Sequence, residues 1–360
     1  MLNLRLNYPS VRLEMDVFQR YVATLPDPQK YALLQPPYPC PSPAEAAIVA
    51  HWLQLPALTW HTMSNMIALP SANSSLFCIL SCFQSYAPGI AVEEVTFPGF
   101  RMIASHYGYP LAPIACDQEG MIPEALQACL QKGVCKMVYL QPTVQNPTGA
   151  VMSLERRQQI AEIVASFPGV YLLEDDAYRF LHPDPPPTFL QLLPARTIHV
   201  YGLSKPFNPF LKSAYIVYPK DTLAGIEKVV QISTSSPCAL FHNFGLHLMQ
   251  GDELKTIIRE KQREGLRWHQ RVAEALYNLE YTLFPGSFHI WLYLGETITG
   301  SQLSAYLATQ GIALPPGTDF SVTGADHHTR IALGAEWANA ALMPALEQIA
   351  AIVRTGILPG

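Results

Sequence analysis

Charge is in short supply in this chain. Of 360 residues, 14% are Asp, Glu, Lys or Arg, and the formal net charge is −5. No basic stripe is available to neutralise phosphodiesters, which argues against a nucleic-acid partner. Apolar runs of bilayer-spanning length are missing, and the opening "MLNLRLNYPSVRLEMD" has no apolar core of the secretory kind. No membrane partner is therefore expected, and the expected location is cytoplasmic. The 7 cysteines are an odd number without paired spacing. Cys78 and Cys82, four apart in "SLFCILSCF", fit one helix face and read as small buried hydrophobes in a reducing compartment rather than as metal ligands. Repeats, low-complexity tracts and long polar stretches are also missing, so disorder is a poor reading. No G-x-G-x-x-G follows a candidate strand, which leaves a dinucleotide-binding dehydrogenase poorly supported.

What the chain does have is apolar residues, 49% of the total, and 32 prolines. That apolar content exceeds what one core usually holds, so two domains are expected. Residues 1–40 are rich in proline and read as an irregular arm. "SPAEAAIVAHWLQL" (42–55) has a Ser cap, an early Glu and helical apolar spacing. Between about 65 and 245, short apolar runs alternate with amphipathic stretches. Strands are expected at 89–95, 135–142, 169–175, 197–203 and 214–219, and helices at 73–86, 122–132, 153–166 and 238–249. This alternation predicts an α/β fold with a mainly parallel sheet and flanking helices over 41–250. The stretch 252–279 reads as a long amphipathic helix leading to a small α+β domain over 251–360. Short strands are expected there in "FHIWLYLG", "GIALPPGTDF" and "TRIALG", with a final helix near 336–353.

Ligands of open α/β sheets gather at the carboxyl ends of the strands. Three polar residues fall there: Asn146 after 135–142, Asp175 closing 169–175, and Lys205 in "VYGLSKPFNPFLKSAYIVY" after 197–203. A lysine at a site rim can be desolvated, lose its proton and condense with an aldehyde as a Schiff base. Pyridoxal phosphate is the usual aldehyde, and its ring nitrogen needs a carboxylate partner to remain protonated. Asp175 in "LLEDDAYRF" can supply it, while Tyr178 and Asn146 can hydrogen-bond the ring's phenolate oxygen.

"YLQPTVQNPTG" (139–149) resembles the Y-x-x-P-x-x-x-N-P-T-G signature of the class I/II aminotransferases of pyridoxal-phosphate fold type I. "EDDAY" resembles their D-x-x-Y element and "LSKPFNPFLKSA" their S-K-x-x-x-P-G-x-R-x-G segment, with Asn, Asp and Lys each roughly thirty residues apart. "LPSANSSLFCIL" (69–80), "EEVTFPGF" (93–100), "ALPPGTDF" and "HHTRIALG" extend the likeness over about 35 to 335. The resemblance implies a seven-stranded large domain, a homodimer, and amino acid and 2-oxo acid substrates. It implies that Lys205 carries the cofactor and moves the α-proton, and that Asp175 pairs with the ring nitrogen. Asn146 and Tyr178 are implied to bind the phenolate oxygen, and Phe97 to stack on the ring. Ser71, Ala72 and Asn73 would offer helix N–H groups to the phosphate, with Ser204 adding a hydroxyl, and Arg330 would hold the substrate carboxylate. Tyr31 and Tyr38 are the candidates for a tyrosine reaching the neighbouring subunit's phosphate.

The departures concentrate at the phosphate. Lys212 stands where the family has an arginine, Gly202 where it has a serine, Ser71 where it has a glycine, and Pro209-Phe210 where it has Pro-Gly. A point charge in place of a fork predicts weak cofactor retention. The expected activity is aminotransfer. Its rivals are a lyase or decarboxylase on the same scaffold, and a cofactor-binding regulator without turnover. The early start of the catalytic-type region argues against the regulator. Asp176 competes with Asp175, though the spacing to Tyr178 selects Asp175. His327 and His328 read as a solvated turn rather than a ligand pair.

Overall fold

The computed structural model describes residues 1–35, 37–55, 64–83 and 89–358. Seven strands form its central sheet, in the order Ser64–Leu69, Ala214–Pro219, Thr197–Gly202, Tyr171–Asp175, Met137–Leu140, Ile90–Glu93 and Leu111–Ile114. Neighbours are parallel except at Ala214–Pro219, which runs against both of its partners. The expected α/β architecture is thus observed, with all five expected strands in place. Two strands were not anticipated. Leu111–Ile114 is a half-exposed edge strand carrying Pro113, a residue that removes a ladder donor and is tolerated at an edge. Ser64–Leu69 emerges from a stretch, 56–63, that lies outside the described residues.

Near-continuous apolar strands need cover on both faces, and helices supply it. Alternate residues of Met137–Leu140 enter opposite cores: Met137 and Tyr139 pack with Leu76 and Ile79 of the helix Ala72–Phe83, and Val138 and Leu140 with Leu126 and Ile160 of the helices Pro123–Gln131 and Leu154–Ser166. The helix expected over 73–86 therefore ends at Phe83 as far as it is described, and positions 84–86 lie outside the described residues.

Residues 1–40 differ from expectation. They hold the helices Leu13–Thr24 and Asp27–Ala32. Pro26 caps the second helix and Pro28 sits in its first turn, where no backbone donor is needed, so these prolines start a helix rather than prevent one. The segment also bridges two cores. Leu2–Asn3 pairs with Ile312–Ala313, and Leu2 and Leu4 join the C-terminal cluster. Val17 packs with Val49, Tyr215 and Phe244 against the large sheet.

The C-terminal part is built on the antiparallel strands Tyr281–Thr282, His289–Tyr293 and His328–Ala332, with the helices Gly300–Thr309 and Leu342–Thr355. The long helix Glu253–Ala275 leads into it. Its Gly265 lies so close to the turn at Gly286 that a Cβ would sit 2.1 Å from the Gly286 carbonyl oxygen, so only glycine fits. Among the described residues, no helix is long and apolar enough to cross a membrane.

Candidate active site

Three consecutive acids, Glu174, Asp175 and Asp176, close one strand and go three ways. Strand alternation sends Glu174 to one face, where it accepts from the N–H groups of Phe189 and Leu190 at 2.8 and 3.1 Å and meets His199 at 2.8 Å. Asp176 faces Arg179 at 3.5 Å. Asp175 points to the other face and lines a cavity of about 170 Å³ at the carboxyl ends of the strands. It is 3% exposed, and its Oδ2 accepts from the Tyr139 hydroxyl at 2.9 Å. Burial pushes its carboxyl up to about 6, against the opposing pull of that hydrogen bond and of Lys205. Of the two competing aspartates, Asp175 lines the cavity and Asp176 does not.

Lys205 follows the strand Thr197–Gly202 and enters the same cavity. Its Nζ donates to the Asn7 carbonyl at 2.6 Å and lies 4.0 Å from the Tyr8 ring centre. Burial, the Arg330 guanidinium and Lys261 lower its pKa to about 7, while Asp175 resists. Its backbone is held by Lys261, whose Nζ donates to the Lys205 carbonyl at 3.1 Å and to the Phe207 carbonyl. Lys261 in turn pairs with Glu14 at 2.8 Å, both buried.

The structure brings Ser71, Ala72, Asn73, Phe97, Asn146, Asp175, Tyr178, Ser204, Lys205 and Lys212 to the walls of this one cavity. Asn146 is buried, its N–H donates to Gln141 Oε1 at 3.3 Å, and its Oδ1 has no hydrogen-bond partner among the described residues. Ser71 Oγ accepts from the Ser74 N–H at 3.1 Å and so caps the helix Ala72–Phe83. The N–H groups at that helix start have no carbonyl one turn earlier to meet. Across from them is Gly202, whose added Cβ would lie 3.6 Å from the Ala72 Cβ, an ordinary contact. A Cβ there would fit, so the absence of a side chain is not imposed by packing at that atom. Lys212 is exposed on the rim.

Arg330 does not line the cavity. Its guanidinium donates to the Arg5 carbonyl and lies over the Phe320 ring, 5.3 Å from the centre, and burial lowers its pKa to about 10. Tyr31 and Tyr38 are both exposed and outside the cavity, and Tyr38 donates to Glu227 at 3.2 Å. His328 stacks on Trp291 with centroids 5.0 Å apart, and His327 contacts the Gly295 carbonyl at 3.2 Å. Cys78 is buried in the core and Cys82 half-buried beside it. Among the described residues, no cluster of three His, Cys, Asp or Glu could hold a metal ion.

Sequence reasoning missed Asn7, Tyr8, Gln141 and His289. Asn7 Nδ2 lies 2.9 Å from the Tyr178 hydroxyl and 3.1 Å from His289 Nδ1, and His289 Nε2 lies 3.0 Å from the Gln145 carbonyl. Tyr139 was visible only as the first letter of its motif. No local pattern marks Asn7; the sole signal is an Asn-Tyr pair in an otherwise plain N-terminal stretch.

The donor set fits pyridoxal phosphate. A lysine of lowered pKa, a buried carboxylate, a buried amide with an unpartnered oxygen, and a helix N-terminus beside a rim lysine face one space. That is an amine for an aldehyde, an anion for a ring nitrogen and positive potential for a phosphate.

Comparisons with known proteins agree. The chain is 27% identical over 236 residues to the uncharacterised HTH-type transcriptional regulator YdeF of Bacillus subtilis, covering 65% of this chain and 50% of that protein. It is 26% identical over 264 residues to the mitochondrial kynurenine/alpha-aminoadipate aminotransferase of Mus musculus, covering 65% of this chain and 60% of that one. The chain thus spans between half and two thirds of these curated relatives. Its fold matches the Pyrococcus horikoshii kynurenine aminotransferase with a TM-score of 0.85 at 20% identity, over 99% of this chain and 91% of that one. The profile of aminotransferase class I and II matches residues 31–349, and the chain belongs to that pyridoxal-phosphate-dependent family.

Proposed function

We propose that this chain forms a pyridoxal-phosphate-dependent aminotransferase, moving an amino group between an amino acid and a 2-oxo acid. The observation that carries the reading is the Lys205 amine, brought to about pH 7 by burial and two cations, facing the buried Asp175 across one cavity. When bound, pyridoxal phosphate supplies an electron sink for the charge left at the substrate's α-carbon. Lys205 is the group to hold the aldehyde and, once free, to take the α-proton, which an amine near neutrality does most effectively. Asp175 is assigned to the ring nitrogen, with Tyr139 holding its Oδ2. Asn146 and Tyr178 are assigned to the phenolate oxygen and Phe97 to the ring face. Ser71, Ala72, Asn73, Ser204 and Lys212 are assigned to the phosphate. Arg330 is assigned to the substrate carboxylate, for which the Arg5 carbonyl must give way.

The proposed organisation is an arm at 1–40, a cofactor domain at 41–250 and a linking helix with a small domain at 251–360; separate apolar clusters support it. A cytoplasmic homodimer is part of the proposal, with exposed Tyr31 or Tyr38 reaching the partner's phosphate.

A second reading, cofactor sensing without turnover, is favoured by the likeness to YdeF, described as a transcriptional regulator. An absorbance titration of the protein loaded with pyridoxal phosphate against a panel of amino acids separates the readings. Conversion to the amine form with release of a 2-oxo acid supports aminotransfer. Pyruvate and ammonia indicate a lyase, carbon dioxide a decarboxylase, and binding without product a sensor.

A further inference from the structure

We propose that Asn7 and His289 are positioning residues that fix the direction of the Tyr178 hydroxyl, so that its proton points into the cavity. The inference rests on the cofactor reading above.

The argument starts from a group that can only accept. The Gln145 backbone carbonyl lies 3.0 Å from His289 Nε2. A carbonyl has no proton to give, so Nε2 must carry one. Burial, with the Arg330 and Lys205 charges nearby, lowers the His289 pKa to about 3, so the ring is neutral and its other nitrogen is bare. Nδ1 is therefore an acceptor, and 3.1 Å away it meets Asn7 Nδ2. That nitrogen has two protons, and the second goes to the Tyr178 oxygen at 2.9 Å. Turning the amide over would set its oxygen against the bare Nδ1, two acceptors face to face. The amide keeps its orientation although its Oδ1 then finds no donor among the described residues.

Every link has one allowed direction. Tyr178 receives a hydrogen bond from Asn7, so its own proton is free for the cavity that Tyr178 lines. What arrives there must be an acceptor, such as the phenolate oxygen of the cofactor. Three segments distant in sequence are needed: the pair Asn7–His289 is 282 positions apart, and Asn7–Tyr178 is 171. The same Asn7 accepts from Lys205 through its backbone carbonyl.

Asn7→Asp tests the direction: the oxygen in place of Nδ2 carries at most one proton, which the bare His289 Nδ1 takes, so toward Tyr178 it only accepts and draws that hydroxyl proton away from the cavity. The readout is the pH at which the visible absorption of bound pyridoxal phosphate changes. It is expected to rise by at least a tenfold change in proton affinity, as in Tyr178→Phe. The double variant Asn7→Asp/Tyr178→Phe should show no more than Tyr178→Phe alone. A further shift in the double variant would mean that the new charge acts directly, and would overturn the proposal; so would an unmoved Asn7→Asp. His289→Asn, which keeps an acceptor near the Nδ1 position, should remain within about threefold of wild type, while His289→Leu should shift in the direction of Tyr178→Phe. Nitrogen NMR of the cofactor-free wild-type protein gives an independent check. A proton on His289 Nε2 and a bare Nδ1 are expected, and a proton on Nδ1 overturns the relay. Wild-type protein that takes up no pyridoxal phosphate would sink the functional reading and leave the NMR result to decide this one.

Discussion

The floor and the rim of the cavity are built on opposite terms. At the floor, Asp175 and Asn146 are buried, and the Tyr139 hydroxyl holds Asp175 at 2.9 Å before any ligand arrives. At the rim, Lys212 is exposed, Ser71 spends its hydroxyl on capping a helix, and Gly202 contributes no side chain. A buried charge must be fixed in advance because the protein is its only solvent. A surface charge can be left to water until the ligand displaces it. The floor should therefore decide the chemistry, and the rim should decide only how long the cofactor stays.

The sharpest way to break that division is Lys205→Ala. It should abolish borohydride-stable attachment of pyridoxal phosphate and cost on the order of 10⁴ or more in turnover, since both attachment and proton transfer are lost. Peptide mapping after reduction of the wild type should place the label on Lys205; a label on Lys212 would reverse the roles of floor and rim. Next in size is Asp175→Asn, expected to slow α-proton removal by about 10²–10⁴ while leaving cofactor affinity within a few fold. Asp176→Asn should leave turnover close to wild type, because Asp176 faces Arg179 outside the cavity. A dead Asp176→Asn with an active Asp175→Asn would invert the assignment.

The support beneath the floor can be probed through Glu14→Gln. It strands the buried Lys261 charge that holds the Lys205 and Phe207 carbonyls. Breaking one partner of a buried pair costs about 3–5 kcal/mol, so the denaturant midpoint should fall markedly. The loss should be smaller if Lys261 sheds its proton, which its lowered pKa of about 8 makes easier. The pH sign at Lys205 follows in the same way. With its pKa lowered to about 7, the amine is mostly neutral above that pH. In cofactor-free protein its rate of labelling by an amine-selective reagent should climb through pH 7 and level off by about pH 8, whereas ordinary lysines continue to climb toward about pH 10. The smallest effect is expected at the rim. Lys212→Met should weaken pyridoxal phosphate affinity by about 1 kcal/mol, as suits an exposed cation. A loss of turnover with unchanged affinity would show that the rim takes part in the chemistry.

How much could be read beforehand follows from the same division. Asn146, Asp175 and Lys205 stood out because each βα unit has similar length and returns the chain to the same edge of the sheet. Chemistry placed at strand ends then recurs at a regular interval in the sequence. The central strands were legible because helices cover both of their faces and force near-continuous apolar runs. Leu111–Ile114 escaped notice because an edge strand is half-exposed and tolerates Pro113. The helices at 13–24 and 27–32 were hidden by prolines that cap and start a helix but look like breakers when merely counted. Asn7 and His289 lie outside the repeating units altogether. Their partnership is fixed only when the N-terminal segment crosses from one core to the other, and no spacing rule reports that.

Two basic side chains are held by the same short stretch of backbone: Arg330 by the Arg5 carbonyl and, when protonated, Lys205 by the Asn7 carbonyl. Neither carbonyl carries a net charge, so neither cation is neutralised. The stretch acts as a built-in hydration shell, with dipoles in fixed positions where water would otherwise be. If Arg330 takes the substrate carboxylate as proposed, that carboxylate exchanges with one rigid dipole instead of stripping several mobile molecules, and most of the solvent rearrangement that accompanies ion binding has been completed during folding. A neutral ligand would give up that dipole and gain no countercharge in return. On the proposed assignment of Arg330, the preference for an anion is then set by a main-chain group at residue 5, where side-chain substitution has little power to erase it.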